Sequence, residues 1–143
     1  MIETIELRTY GLGNTLYMKK IKPIKNIKEF IKPYGGLWSS PTTSKYGWED
    51  WCLQEDFGDL TSYFDFKVNG NCCVIDKYSD IEKLTWVKSA YGLYAPDFER
   101  AIMKYDMIWL TINGEKETRY TTPLNLYGWD CESILILNKR CII

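Results

Sequence analysis

The chain has 143 residues and a formal net charge of −1, with 45% hydrophobic and 26% charged residues, the proportions of one ordinary globular domain over residues 1–143 with enough length to bury a core unaided. It contains no histidine, which excludes serine and cysteine hydrolases that rely on an imidazole base and metal sites built on imidazole ligands. No run of about 18 apolar residues is present to cross a membrane, and neither a membrane nor a metal is expected as a partner.

The opening residues, Met1 to Arg8, alternate and carry acids. They lack the basic start and apolar run of a secretory signal, so the expected location is cytoplasmic. Five cysteines (Cys52, Cys72, Cys73, Cys131 and Cys141) form no Cys-x-x-Cys pair, which favours reduced, mostly buried thiols over a disulfide framework or a zinc knuckle. Charge is uneven along the chain. Lys19, Lys20, Lys22, Lys25, Lys28 and Lys32 are interrupted only by Glu29, and Glu49, Asp50, Glu55, Asp56 and Asp59 follow with no base among them. The basic cluster reads as a solvated face or as a surface for phosphate or nucleic acid.

Alternation predicts a strand over Ile2–Tyr10, broken by Gly11-Leu12-Gly13-Asn14, and a second over Thr15–Lys19. Pro23 opens a short helix over Ile24–Ile31, and Pro33 ends it. Gly35-Gly36 returns the chain into a strand beginning Leu37-Trp38-Ser39. Trp48, Trp51 and Cys52 share one face of a helix within Tyr46–Leu53, with Ser44 or a neighbour as cap and the acids toward its middle and end. Strict alternation over Ser62–Val68, then Asn69-Gly70, then Cys72–Ile75, predicts a hairpin. Ser79-Asp80-Ile81-Glu82 has a capping-box pattern for a helix with Ile81, Leu84, Trp86, Val87 and Ala90 inward, stopped at Gly92. Pro96 falls in the first turn of the next helix, with Phe98, Ala101 and Ile102 inward. Met107–Ile112 predicts a central strand, Asn113–Glu117 an exposed turn, and Ser133–Leu137 a strand covered on both faces. The resulting class is α+β: a single compact domain, a largely antiparallel twisted sheet interrupted by short helices.

Two stretches concentrate the chemistry. Gly35-Gly36-Leu37-Trp38-Ser39-Ser40-Pro41 puts hydroxyls and an indole at a strand edge, and Tyr127-Gly128-Trp129-Asp130-Cys131-Glu132-Ser133 puts two acids at another. Side by side, they would form a cleft with serines on one lip and acids on the other. Asp130 and Glu132 lie two apart; if the segment is extended, both point to one face and act on one ligand. The same residues also suit plain turn and edge positions. Tyr46 and Trp48 follow the serine strand closely enough to reach the cleft.

The order of these pieces, with Leu16-Tyr17-Met18-Lys19 early and Tyr105-Asp106-Met107-Ile108 before the acidic stretch, resembles the ADP-ribosyltransferase-like families, small phage and bacterial members most of all. The resemblance implies that fold, NAD as a substrate, and transfer of ADP-ribose to a host protein or nucleic acid by a phage or mobile-element product. It implies Glu132 as the catalytic glutamate stabilising an oxocarbenium-like ribose, with Asp130 orienting the acceptor. Ser39 and Ser40 would support the nicotinamide ribose, and Trp38, Tyr46 or Trp48 would stack on the ring. The family's Arg or His after Leu-Tyr is Met18 here, so either Lys19 or Arg8 would serve the pyrophosphate side, or nothing does, with Tyr17 also among the cofactor-binding residues. The middle threonine of Ser-Thr-Ser is also missing. Those departures keep a second reading open: a non-catalytic binder on the same fold that sequesters a nucleotide or blocks a host defence protein, with the acidic run as a nucleic-acid mimic. A third is single-stranded nucleic-acid binding by the lysine cluster and exposed aromatics.

Overall fold

The computed structural model describes residues 3–143; Met1 and Ile2, where the first predicted strand begins, lie outside the described residues. Eight strands and three short helices follow in the order β1 (Ile5–Tyr10), β2 (Leu37–Pro41), α1 (Trp48–Glu55), β3 (Tyr63–Val68), β4 (Cys72–Ile75), β5 (Trp86–Lys88), β6 (Tyr94–Pro96), α2 (Phe98–Ala101), β7 (Met107–Leu110), α3 (Ile112–Thr118) and β8 (Ser133–Ile136). Six strands form one sheet in the order β3-β1-β2-β8-β7-β4, antiparallel except for β4 with β7, and β5 and β6 form a separate ribbon. The α+β class with a largely antiparallel sheet is what the sequence predicts.

The ends of this sheet are joined by only Asn69, Gly70 and Asn71, between Val68 of β3 and Cys72 of β4. Six flat strands would span about 24 Å at about 4.8 Å per strand, whereas four Cα-to-Cα steps reach at most about 15 Å. The sheet therefore curls until its edges nearly meet. The C-terminal residues fill the seam: the Asn69 amide donates to the Cys141 carbonyl and the Ile143 amide to the Lys67 carbonyl, each at 2.9 Å. Asp106 fastens the same place, accepting from the Asn71 amide and from Arg140 Nε, both at 3.0 Å.

Curling divides the core in two. Inside lie Leu7, Leu37, Phe64, Phe66, Val68, Met107, Ile134 and Ile136. The alternate residues Cys73, Ile75, Ile108, Leu110 and Leu135 face outward and are covered by Ile81, Leu84, Phe98, Ala101, Leu126 and Trp129. All four β8 residues are buried, in keeping with a strand apolar on both faces.

Several local expectations are corrected. Thr15–Lys19 is not a strand; the chain makes a 3-10 turn at Met18–Lys20. The helix over Ile24–Ile31 is absent, because Lys25 exchanges both backbone hydrogen bonds with Tyr34 (2.9 and 2.8 Å). Ser62–Val68 and Cys72–Ile75 do form strands, but they take partners at opposite ends of the sheet. Neither Asn69 nor Gly70 has the positive φ of a type I′ turn. A Cβ on Gly70 would stand 2.6 Å from Asp106 Oδ2, so this glycine serves a close approach instead.

The helix expected from Ser79 is a 3-10 turn, Tyr78–Lys83, after which Trp86–Lys88 becomes β5. Its start is fixed by Asp80, which accepts from the Asp76 and Lys77 amides at 2.9 and 3.1 Å. Gly92, at φ +78°, turns the ribbon rather than stopping a helix. Pro96 closes β6, and Asp97 caps α2 by accepting from the Arg100 amide at 3.1 Å. Residues Asn113–Glu117 belong to α3, capped by Thr111 Oγ1 from the Gly114 amide at 3.0 Å. In α1 the acids Glu49 and Asp50 occupy the first turn, where the helix dipole favours them.

Candidate functional site

The two chemical stretches do lie side by side. β2 pairs with β8 in the register Ser39 opposite Ile134, and Ser40 stitches three elements together. Its Oγ donates to the Glu132 carbonyl at 2.8 Å and accepts from the Trp48 amide at 3.0 Å, so one hydroxyl joins β2, the approach to β8 and the start of α1. Ser39 Oγ donates to the Ile134 carbonyl at 2.8 Å. Both serine protons are committed to backbone carbonyls, which makes these residues builders of the wall.

A cleft of about 350 Å3 opens over the outer face of β1 and β2, within the ~300–1,000 Å3 usual for small-ligand sites. Trp38, Ser39, Ser40, Trp48 and Asp130, all singled out in the sequence, line it. Arg8, Lys32 and Trp129 line it too. Alternation along β1 signals Arg8, because Leu7 and Thr9 turn inward and Arg8 must turn out. Trp129 packs edge-on against Trp38, with centroids 4.7 Å apart. Lys32 Nζ stands 5.5 Å from the Trp38 ring centroid.

Arg8 is held in a two-point contact with Asp65, Nε to Oδ1 at 2.6 Å and Nη2 to Oδ2 at 2.9 Å, above the Tyr63 ring. The hydrogen bond from Arg8 holds the Asp65 carboxyl below its ordinary range, and the Arg8 guanidinium is raised further. A carboxylate with a depressed folded value adds stability above its unfolded value, near about 3.9, and that contribution is lost as pH falls through the folded value. Urea midpoints should therefore decline with acid less steeply in Asp65→Asn than in the parent.

Glu132 is not in the cleft. The segment 129–132 is irregular rather than extended, and Glu132 turns away to accept the Trp109 indole N–H at 2.9 Å, leaving it 8% exposed. Asp130 lies between the cleft and a cavity beyond it and lines both, with its Oδ1 3.3 Å from Arg119 Nη2 on the far side. The two acids thus do not share a ligand face. Tyr17 and Lys19 do not line the cleft, and Tyr46 lines a second cavity beyond Asp130, with Trp51, Glu115 and Arg119. Arg119 carries no sequence signal; its part emerges only when α3 brings it to Asp130.

Glu132→Gln keeps an oxygen acceptor for Trp109 and should change stability little. Glu132→Ala strands that indole N–H and should cost about 1–3 kcal/mol. Neither should alter ligand affinity in the cleft; denaturant melts and a ligand titration on the same samples read both.

All five cysteines are free. Burial pushes Cys72 up to about 12 and Cys73, Cys131 and Cys141 up to about 11. These thiols stay protonated near neutrality and are poor nucleophiles. Among the described residues no cluster of acids and cysteines is suited to hold a metal ion, and no helix is long and apolar enough to cross a membrane. Comparison with protein-family models, curated proteins and solved structures returned no match.

Proposed function

We propose that the protein binds a nucleotide in the cleft, a ligand with a flat ring and an anionic group such as NAD, and holds it without turnover. One observation carries this reading: the Trp38 and Trp48 indoles and the Lys32 ammonium line the same small cavity. An indole face takes a base or nicotinamide ring, and the ammonium takes phosphate. The carboxylate expected to drive catalysis, Glu132, is hydrogen-bonded to Trp109 outside the cleft. Sequestration of a nucleotide, or occlusion of a host protein that uses one, fits this site.

A second reading has its own support. β1, β2 and β8 are neighbours, and Arg8, Ser40 and Asp130 line one cleft, which supports reading it as an ADP-ribosyltransferase-like site. In this reading NAD is a substrate, a host protein or nucleic acid is the acceptor, and Asp130 takes the role of charge stabiliser for the ribose.

Calorimetric titration with NAD, followed by a nicotinamide-release assay on the same sample, separates the two. Binding without release is the expected result, and Trp38→Ala should weaken it about 5- to 150-fold, the equivalent of ~1–3 kcal/mol for one stacking aromatic. Release that disappears in Asp130→Asn establishes cleavage of the nicotinamide–ribose bond instead, with water as the acceptor when no other is added. No binding at millimolar NAD removes NAD from both readings.

A further inference from the structure

A third cavity with a distinct character lies between residues 26–32 and the β5–β6 ribbon. It measures about 330 Å3. Val87, Ala95 and Phe98 give it an apolar wall, with Ala95 and Phe98 buried, while the exposed Lys28, Lys32 and Lys88 stand around it. None of these lysines makes an ion pair among the described residues. The acid in the wall, Glu99, already accepts the Asn26 amide at 2.9 Å through Oε2. Ser89 Oγ, also in this wall, is the one buried side-chain oxygen or nitrogen without a hydrogen-bond partner among the described residues. A buried hydroxyl without a partner calls for one.

We propose that this groove is a second ligand site, for a small organic anion: one carboxylate or phosphate monoester head on an apolar body. The Lys28 and Lys88 ammonium groups make no ion pair among the described residues, and an anionic head between them gains charge-assisted hydrogen bonds. The apolar wall accepts the body of the ligand, and Ser89 supplies a neutral donor to the head. The volume suits a small molecule. Lys32 also lines the nucleotide cleft, but the proposal stands on Lys28, Lys88 and Ser89 and is independent of nucleotide binding.

The test is an amide NMR titration of the full chain with phenylbutyrate, phenylbutyl phosphate and phenylbutanol, which share one apolar body. Saturable shifts should centre on Asn26–Lys28, Val87–Ser89 and Phe98. Either anion should bind about tenfold or more tighter than the alcohol, the scale of one charge-assisted contact. The double variant Lys28→Glu/Lys88→Glu should erase that preference and leave the alcohol unaffected. Phosphate over carboxylate, or the reverse, names the head group and supports the site in either case. Should the double variant fail to fold, the parent still decides, because anion affinity must fall with added salt and alcohol affinity must not. Equal binding of alcohol and anion, absence of saturable shifts, or shifts centred on Trp38 and Trp129 would overturn the proposal.

Discussion

Replacing Gly114 by alanine should abolish cooperative folding, or lower stability by more than about 4 kcal/mol, the range reached by few single substitutions. A Cβ there would stand 1.9 Å from the Ile75 carbonyl oxygen and 2.8 Å from its carbon. Both are backbone atoms at the end of β4, so no side chain can swing aside. Withdrawal of the helix would break the bonds that tie its start to the end of β4, from the Thr111 amide to the Ile75 carbonyl at 3.1 Å and from Asn113 Nδ2 to the Asp76 carbonyl at 2.6 Å. Far-ultraviolet circular dichroism through a thermal ramp reads the outcome. An unchanged transition would mean that α3 does not sit against β4 as described.

Trp129→Ala should cost about 3–5 kcal/mol, as expected for emptying a large buried aromatic site. Trp129 is 2% exposed and packs within the outer core. The loss should reach the cleft, because the Trp38 ring rests edge-on against Trp129 and would lose the neighbour that fixes its orientation. Urea midpoints should show the destabilisation, and nucleotide affinity should fall even under conditions where the variant remains folded. Trp129→Phe, which keeps an aromatic ring in the site, should recover much of both.

Much of this was legible in the sequence where the signal was local. The alternation of Ile5–Tyr10 and Tyr63–Val68, the apolar run of β8 and the Trp48-Trp51-Cys52 face all correspond to observed elements. Misreadings arose where a distant partner overrode a local pattern. Asn69-Gly70 looks like a hairpin turn, yet Asp106, far along the chain, holds the Asn71 amide and crowds Gly70. Asn113-Gly114 looks like an exposed turn, yet the glycine is there because a strand presses on it. Lys-rich residues 24–31 have helical spacing, but Asn26 spends its side chain on Asp97 and the Phe98 amide. The cleft was half visible: Trp38, Ser40 and Trp48 are near one another in sequence. The divergence of Asp130 and Glu132 was not, because it depends on Trp109 and Arg119, which only the folded chain brings to them.

The position of β8 has a bearing on how the molecule comes into being. It comes last in sequence of the eight strands among the described residues, yet it lies between β2 and β7, with β1 and β3 beyond one and β4 beyond the other. A growing chain can assemble a three-stranded piece from β1, β2 and β3, and a parallel pair from β4 and β7. The two cannot merge until residues 133–136 have left the ribosome. Until then each piece presents an open edge to other chains, a recognised route to aggregation. Pairings so remote in sequence also place this fold among slow folders, on the millisecond-to-second scale rather than the microsecond one. Joining of the two pieces thus waits on the segment that carries β8, and slow translation or crowding of nascent chains before that segment emerges should favour association through the open edges.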